Sequence, residues 1–165
     1  MRRIGRYLTW GAAAVLAIGL ALPAWAECRR DTVHLRGEWG EARFTVEVAD
    51  NAPARSKGLM GRPSMPQSAG MFFVYHRTGD LAFWMKNTLI PLDIIFLDQN
   101  GIVVNIHHSA RPFDETPLPS RAPARYVLEV NGGLAKALGI TVGTELRHPS
   151  VVQTAAAWPC REKAL

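Results

Sequence analysis

The sequence predicts a mainly β fold, a single compact antiparallel β-sandwich or barrel with two short helices on its rim. Three observations carry that expectation. Apolar and polar residues alternate over short runs, most plainly Phe44, Val46 and Val48 against Thr45 and Glu47. Turn formers punctuate the chain, with 14 glycines and 11 prolines in 165 residues, so few stretches are long enough for a helix. Finally, 48% of the residues are hydrophobic, 20% are charged and only two are cysteine. That balance excludes disorder, collagen and a disulfide-dense mini-scaffold.

Residues 1–26 read as a secretory signal peptide, with Arg2, Arg3 and Arg6 ahead of an uncharged stretch that ends in Ala24-Trp25-Ala26. The expected cut follows Ala26 and leaves one β domain over 27–165, periplasmic or secreted and monomeric. A retained membrane anchor is the competing reading, against which Pro23 and the small-residue cleavage pattern argue. No stable membrane span is expected after cleavage. The leader also accounts for most of the formal charge of +5, because it holds three of the 19 bases and none of the 14 acids. The remaining surplus of two bases is scattered, so no nucleic-acid partner is expected. An oxidising compartment lets Cys28 and Cys160, near the two ends of the mature chain, form a disulfide.

From the N-terminus, Thr32 to Arg36 and Ala42 to Val48 are expected strands joined by a turn at Gly37 to Gly40. Asp50-Asn51-Ala52-Pro53 has the form of a helix cap followed by a first-turn proline, which predicts a short helix over Pro53 to Met60 stopped by Gly61. Loop is expected over Arg62 to Gly70, then strands over Met71 to Tyr75 and Leu81 to Met85. Ile94 to Leu97 and Ile102 to Ile106 form the clearest hairpin, its turn built on Asn100-Gly101. Ser109 to Ala124 contains four prolines and reads as a lid or binding loop. Tyr126 to Val130 is a further strand, and Leu134 to Leu138 a short helix ended by Gly139.

Chemistry gathers at Phe83-Trp84-Met85-Lys86-Asn87-Thr88 and the following Pro91-Leu92-Asp93. Lys86 could bind an anion or carbonyl there, with Glu129 and Asn131 at the end of another strand to orient it and Trp84 as a flat stacking wall. Turn chemistry explains the same residues, with Lys86 paired to Asp93 and Asn87-Thr88 bonded to the turn backbone. No metal or cofactor is expected. His107 and His108 are adjacent on a strand and point to opposite faces, while His34, His76 and His148 stand alone. The serines lack a nucleophile elbow, no phosphate-binding loop is present, and the methionines suit core packing.

Arg55, Gly58-Leu59-Met60-x-Arg62, Gly70-Met71-x-Phe73, Trp84 to Thr88, Pro91-Leu92-Asp93 and Leu128-Glu129 with Gly132 form a pattern. In order and spacing it closely resembles the prokaryotic domain-of-unknown-function family 192, over roughly Val33 to Leu146. The resemblance implies a compact, mainly β domain that is often exported, and it brings no established activity. Its motif residues fall on Arg55, Met60, Arg62, Trp84, Lys86, Asn87, Asp93 and Glu129. The cysteine pair and the tail after His148 depart from the pattern.

Three functions stand side by side. The leading one binds an oxygen-rich or anionic small ligand, or a cell-wall glycan fragment, through Arg62, Trp84, Lys86, Asn87, Asp93 and Glu129. The second is an envelope hydrolase or transferase with Asp93 or Glu129 as general base and Lys86 or Arg62 at an oxyanion. The third is a structural or assembly partner whose polar cluster ties loops together.

Overall fold

The computed structural model describes residues 28–160. The expected signal peptide and its cut after Ala26 lie outside the described residues. Strand β1 (Thr32–Gly37) turns at Glu38-Trp39 into β2 (Gly40–Ala49), pairing Val33 with Phe44 and Leu35 with Ala42. Helix α1 (Ala52–Lys57) and the loop after it carry the chain across to β3 (Ala69–Gly79), which lies parallel to β2. A parallel pair needs such a crossover, because no tight turn can make one. Then come β4 (Ala82–Phe83), β5 (Leu92–Leu97), β6 (Val103–Ala110), β7 (Leu118–Pro119), β8 (Ala124–Asn131), α2 (Leu134–Leu138) and β9 (Glu145–Arg147).

Seven strands form one sheet in the order β6-β5-β8-β3-β2-β1-β9, while β4 and β7 pair separately. The large sheet curls into a half-barrel, and its two edges touch where the Val103 N–H donates to the Thr144 carbonyl (2.8 Å) and the Leu146 N–H to that of Gly101 (2.8 Å). The expectation of a purely antiparallel fold is therefore corrected to a mixed sheet. Alternation assigns each residue to a face but does not say which strand lies alongside, so the parallel β2–β3 pair left no mark in the pattern. Strand β9 went unread because only Leu146 of its three residues is buried.

Both faces of the central strands are covered, and β5 is buried along its whole length. Inside the curl pack Val33, Leu35, Phe72, Ile95, Leu128 and Leu146, with neighbours from every long strand. The opposite face holds a second cluster that includes Leu59, Met65, Met71, Phe73, Met85, Ile94 and Phe96. Each large side chain so buried is worth about 1.5–3 kcal/mol. Gly70 lets β3 approach β8 closely, because a Cβ there would lie 2.5 Å from the Glu129 carbonyl oxygen.

Two ties bring the ends together. Cys28 and Cys160 form the expected disulfide, with Cα atoms 5.8 Å apart. The indole of Trp158 lies between the guanidinium groups of Arg36 (4.4 Å) and Arg147 (4.3 Å). The proline-rich segment read as a lid or binding loop is partly ordered by pairing. Leu118 meets Phe83, Ser120 exchanges hydrogen bonds with Leu81, and His107 Nε2 donates to the Pro119 carbonyl at 2.8 Å.

Candidate functional site

The second cluster does not fill the space beneath α1. A cavity of about 420 Å³ remains, walled by Ala52 to Met60 on one side, by Ala82, Phe83, Trp84 and Thr88 on the other, and floored by Phe73, Tyr75 and Glu129. Local sequence explains the α1 wall. The Asn51 side chain accepts from the Ala54 N–H at 3.0 Å and Pro53 stiffens the first turn, while Gly58 ends the helix at φ 48°. The Arg55 guanidinium donates to the Val74 carbonyl (3.0 Å) and lies over the Tyr75 ring (5.0 Å), fastening the helix to β3.

Glu129 is the chemical centre of this cavity. Its residue is 4% exposed, between Met71 on β3 and Ile94 on β5, and no hydrogen bond or ion pair among the described residues reaches its carboxyl. Burial pushes that carboxyl from 4.5 up to about 8, so it is a neutral acid at pH 7. Burial likewise raises the Tyr75 phenol above its ordinary value, against a smaller lowering by Arg55. Buried polar groups in native proteins are almost always paired, and the exceptions concentrate at functional sites.

The run from Trp84 to Thr88 is a turn pinned by Met85, which is fully buried while its neighbours face outward. The Met85 N–H donates to the Asp114 carbonyl at 2.8 Å, and the Thr88 N–H closes the turn onto Met85 at 3.1 Å. Asn87 sits at φ 53° and its carbonyl accepts from the Gly61 N–H at 2.9 Å. Trp84, 48% exposed, walls the cavity, and the Lys86 ammonium lies 5.2 Å from its ring centroid rather than beside Asp93. Arg62 holds Glu47 at 2.6 Å, and the Asn131 amide donates to the Met65 and Pro66 carbonyls, both at 3.0 Å. Of the six residues expected to bind, Trp84 and Glu129 line the cavity, Lys86 joins through Trp84, and Arg62, Asn87 and Asp93 are not among its lining.

Asp93 is fully buried on the other face of the sheet. Its carboxylate accepts from the backbone N–H groups of Ser109 (2.7 Å), Gly133 (2.9 Å) and Ala135 (2.7 Å). It thereby supplies the acceptor that α2 lacks at its N-terminus, where Gly133 has no side chain to offer. Among the described residues no group of three or more His, Cys, Asp or Glu is placed to hold a metal, and no helix is long and apolar enough to cross a membrane.

The family DUF192, described as an uncharacterized ACR, matches residues 33–148. The chain belongs to the DUF192 family. It is 43% identical to a solved protein of unknown function from Novosphingobium aromaticivorans, over 70% of this chain and 82% of that one, with a TM-score of 0.69. A second similar structure, provisionally described as a transcription regulator from Sinorhizobium meliloti, is 38% identical over 73% of this chain and 94% of that one, also with a TM-score of 0.69. No curated protein matches the chain.

Within this DUF192 chain, the pattern residues Arg55, Gly58, Met60, Phe73, Trp84 and Glu129 come from distant stretches and converge on the cavity. Sequence reading gave Arg55 no role, assigned Met60 to core packing and left Tyr75 out of the site altogether. Strand alternation held the signal for Tyr75, since Met71, Phe73 and Tyr75 share a face and Met71 is the partner of Glu129. The assembled site offers two aromatic walls, one acid whose neutral form is favoured by burial, and the Arg55 guanidinium turned inward from α1.

Proposed function

We propose that this DUF192 protein is an exported small-ligand-binding domain whose cavity under α1 takes an oxygen-rich or anionic small molecule, a cell-wall glycan fragment foremost. One observation carries the reading: an unpaired, buried carboxyl at the floor of a cavity large enough for such a ligand. Trp84 and Phe83 offer flat apolar faces on which a sugar ring can stack, while Glu129 can donate to a hydroxyl or carbonyl. Export is supported by the leader pattern and agrees with the Cys28–Cys160 disulfide, which persists in oxidising compartments.

The enzymatic alternative has less to work with. Glu129 is the one carboxyl lining the cavity, and both oxygens of Asp93 are taken up by backbone donors. A nucleic-acid role of the kind suggested by the description of the Sinorhizobium meliloti protein also has little support. Several bases are paired within the fold, Arg36 with Glu145 at 2.7 Å and Arg62 with Glu47 at 2.6 Å among them.

The test is a thermal-shift screen of the mature protein against soluble cell-wall glycan fragments and simple sugars, followed by titration of tryptophan fluorescence. A binding fragment is expected to raise Tm by several degrees at saturating concentration. Trp84→Ala should remove that rise, and Lys86→Ala should reduce it. A flat response across the panel overturns the reading.

A further inference from the structure

Resting on the ligand-binding reading above, we infer that the ligand is a small zwitterion, an amino-sugar acid, with its ammonium seated on Glu129 and its carboxylate on Arg55. The cavity is electrically polar along one direction. Its floor carries the acid Glu129 and its α1 wall carries Arg55, which turns toward β3, while Lys57, two residues further along α1, is exposed and acts on Glu47 instead. Arg55 is held in place by Val74 and Tyr75 through one nitrogen and its π-facing surface, which leaves further N–H groups of the guanidinium for a ligand. Between the two poles, Phe73, Phe83, Trp84 and Met60 provide apolar walls for the body of the molecule.

A buried carboxyl is costly when ionised and alone, and much less so when a cation is in direct contact. An ammonium is therefore the partner that stands to gain most from Glu129. A neutral hydroxyl would gain one ordinary hydrogen bond, whereas an ammonium would gain a charge-assisted one.

The proton balance follows from the same contact. Burial pushes the Glu129 carboxyl up to about 8, which favours its protonated form at pH 7 before a ligand binds. When an ammonium docks, that proton leaves for the buffer, and the carboxylate and ammonium remain as a pair with no change in the ligand's covalent bonds. The charged and titratable groups that line the cavity with Glu129 are Arg55 from α1 and Tyr75 from β3, with Lys57 exposed at the end of α1 toward Glu47 and Lys86 outside over Trp84. Its partners across the strands, Met71 and Ile94, carry no charge.

Calorimetry on the mature protein with three probes separates the outcomes. Muramic acid carries both charged groups, N-acetylmuramic acid lacks the ammonium, and glucosamine lacks the carboxylate. Muramic acid is expected to bind at least about tenfold more tightly than either, which corresponds to about 1.4 kcal/mol. Comparing buffers of different ionisation enthalpy at pH 7 should show close to one proton released per muramic acid bound. Glu129→Gln should abolish the release and the preference over N-acetylmuramic acid, and Arg55→Gln should abolish the preference over glucosamine. Equal or tighter binding of N-acetylmuramic acid without proton release overturns the zwitterion and leaves the pocket standing. Binding by none of the three overturns the zwitterion, and if the wider glycan panel is also flat, the ligand-binding reading falls as well.

Discussion

Asp93 and Glu129 are two buried acids on adjacent strands, one register step apart, since Asp93 pairs with Val130 and Glu129 with Ile94. Alternation sends them to opposite faces of one sheet, and there their circumstances part. Asp93 meets three backbone N–H groups at the start of α2 and the adjoining β6. Glu129 meets a cavity. An acid whose oxygens are occupied by the fold serves architecture, whereas one that faces a cavity without a partner is available to something outside it.

The largest effect should come from breaking the satisfied side. Asp93→Ala would strand three N–H groups, that of Ala135 buried and those of Ser109 and Gly133 nearer the surface, and at about 1–3 kcal/mol for the buried one and less for the others the loss is on the order of 3 kcal/mol, measurable by urea denaturation. An equal loss in Glu129→Ala would erase the contrast, because an acid that serves the fold and one that does not should differ.

The second effect concerns pH. Glu129 holds its proton in the folded state up to about 8 but loses it near 4.5 when unfolded, so between those values the folded state binds more protons and stability falls as pH rises. The slope is at most about 1.4 kcal/mol per pH unit, or roughly 3 kcal/mol from pH 5 to 7. His148 works in the other direction. Its Nδ1 accepts from the Ser150 N–H and its Nε2 donates to the Arg30 carbonyl, and burial lowers its pKa below 6.5, so it costs stability as pH falls through that value. Subtracting wild type from Glu129→Gln isolates the carboxyl. The difference should grow in favour of the variant from pH 5 to 8 and then level off, and a constant difference would contradict the account.

The smallest effect lies at the cavity mouth. Lys86→Ala removes a half-exposed ammonium from the Trp84 face and should cost no more than about 1 kcal/mol of stability. A much larger loss would place Lys86 with Asp93 among the groups that hold the fold.

Much of the sheet was legible because its hydrophobic alternation is strong. The β5–β6 hairpin and helix α2 fall where the sequence places them, with Asp98 accepting from the Asn100 and Ile102 N–H groups around Gly101. Sheet order was not legible, since alternation carries no information about neighbours. The site was legible in its residue types and illegible in their sorting. Asp93 and Glu129 are both acids set among apolar strand residues, and only the arrival of α2 on one face and the gap beneath α1 on the other distinguishes them. Arg62 and Asn87 resembled ligands in sequence for a related reason. A side chain that ties a loop to a strand, as Arg62 does with Glu47, or a residue that supplies a positive φ and a backbone carbonyl, as Asn87 does, has the same composition as one that waits for a substrate.

The most direct test is a pH titration of the Glu129 side-chain carboxyl followed by carbon-13 NMR in the ligand-free protein. A midpoint near 8 would identify a neutral acid without a partner, the direction in which burial pushes this carboxyl. A midpoint near 4.5, the ordinary value for a glutamate, would mean that the carboxyl is already solvated or paired, and the case for a ligand site at that position would be lost.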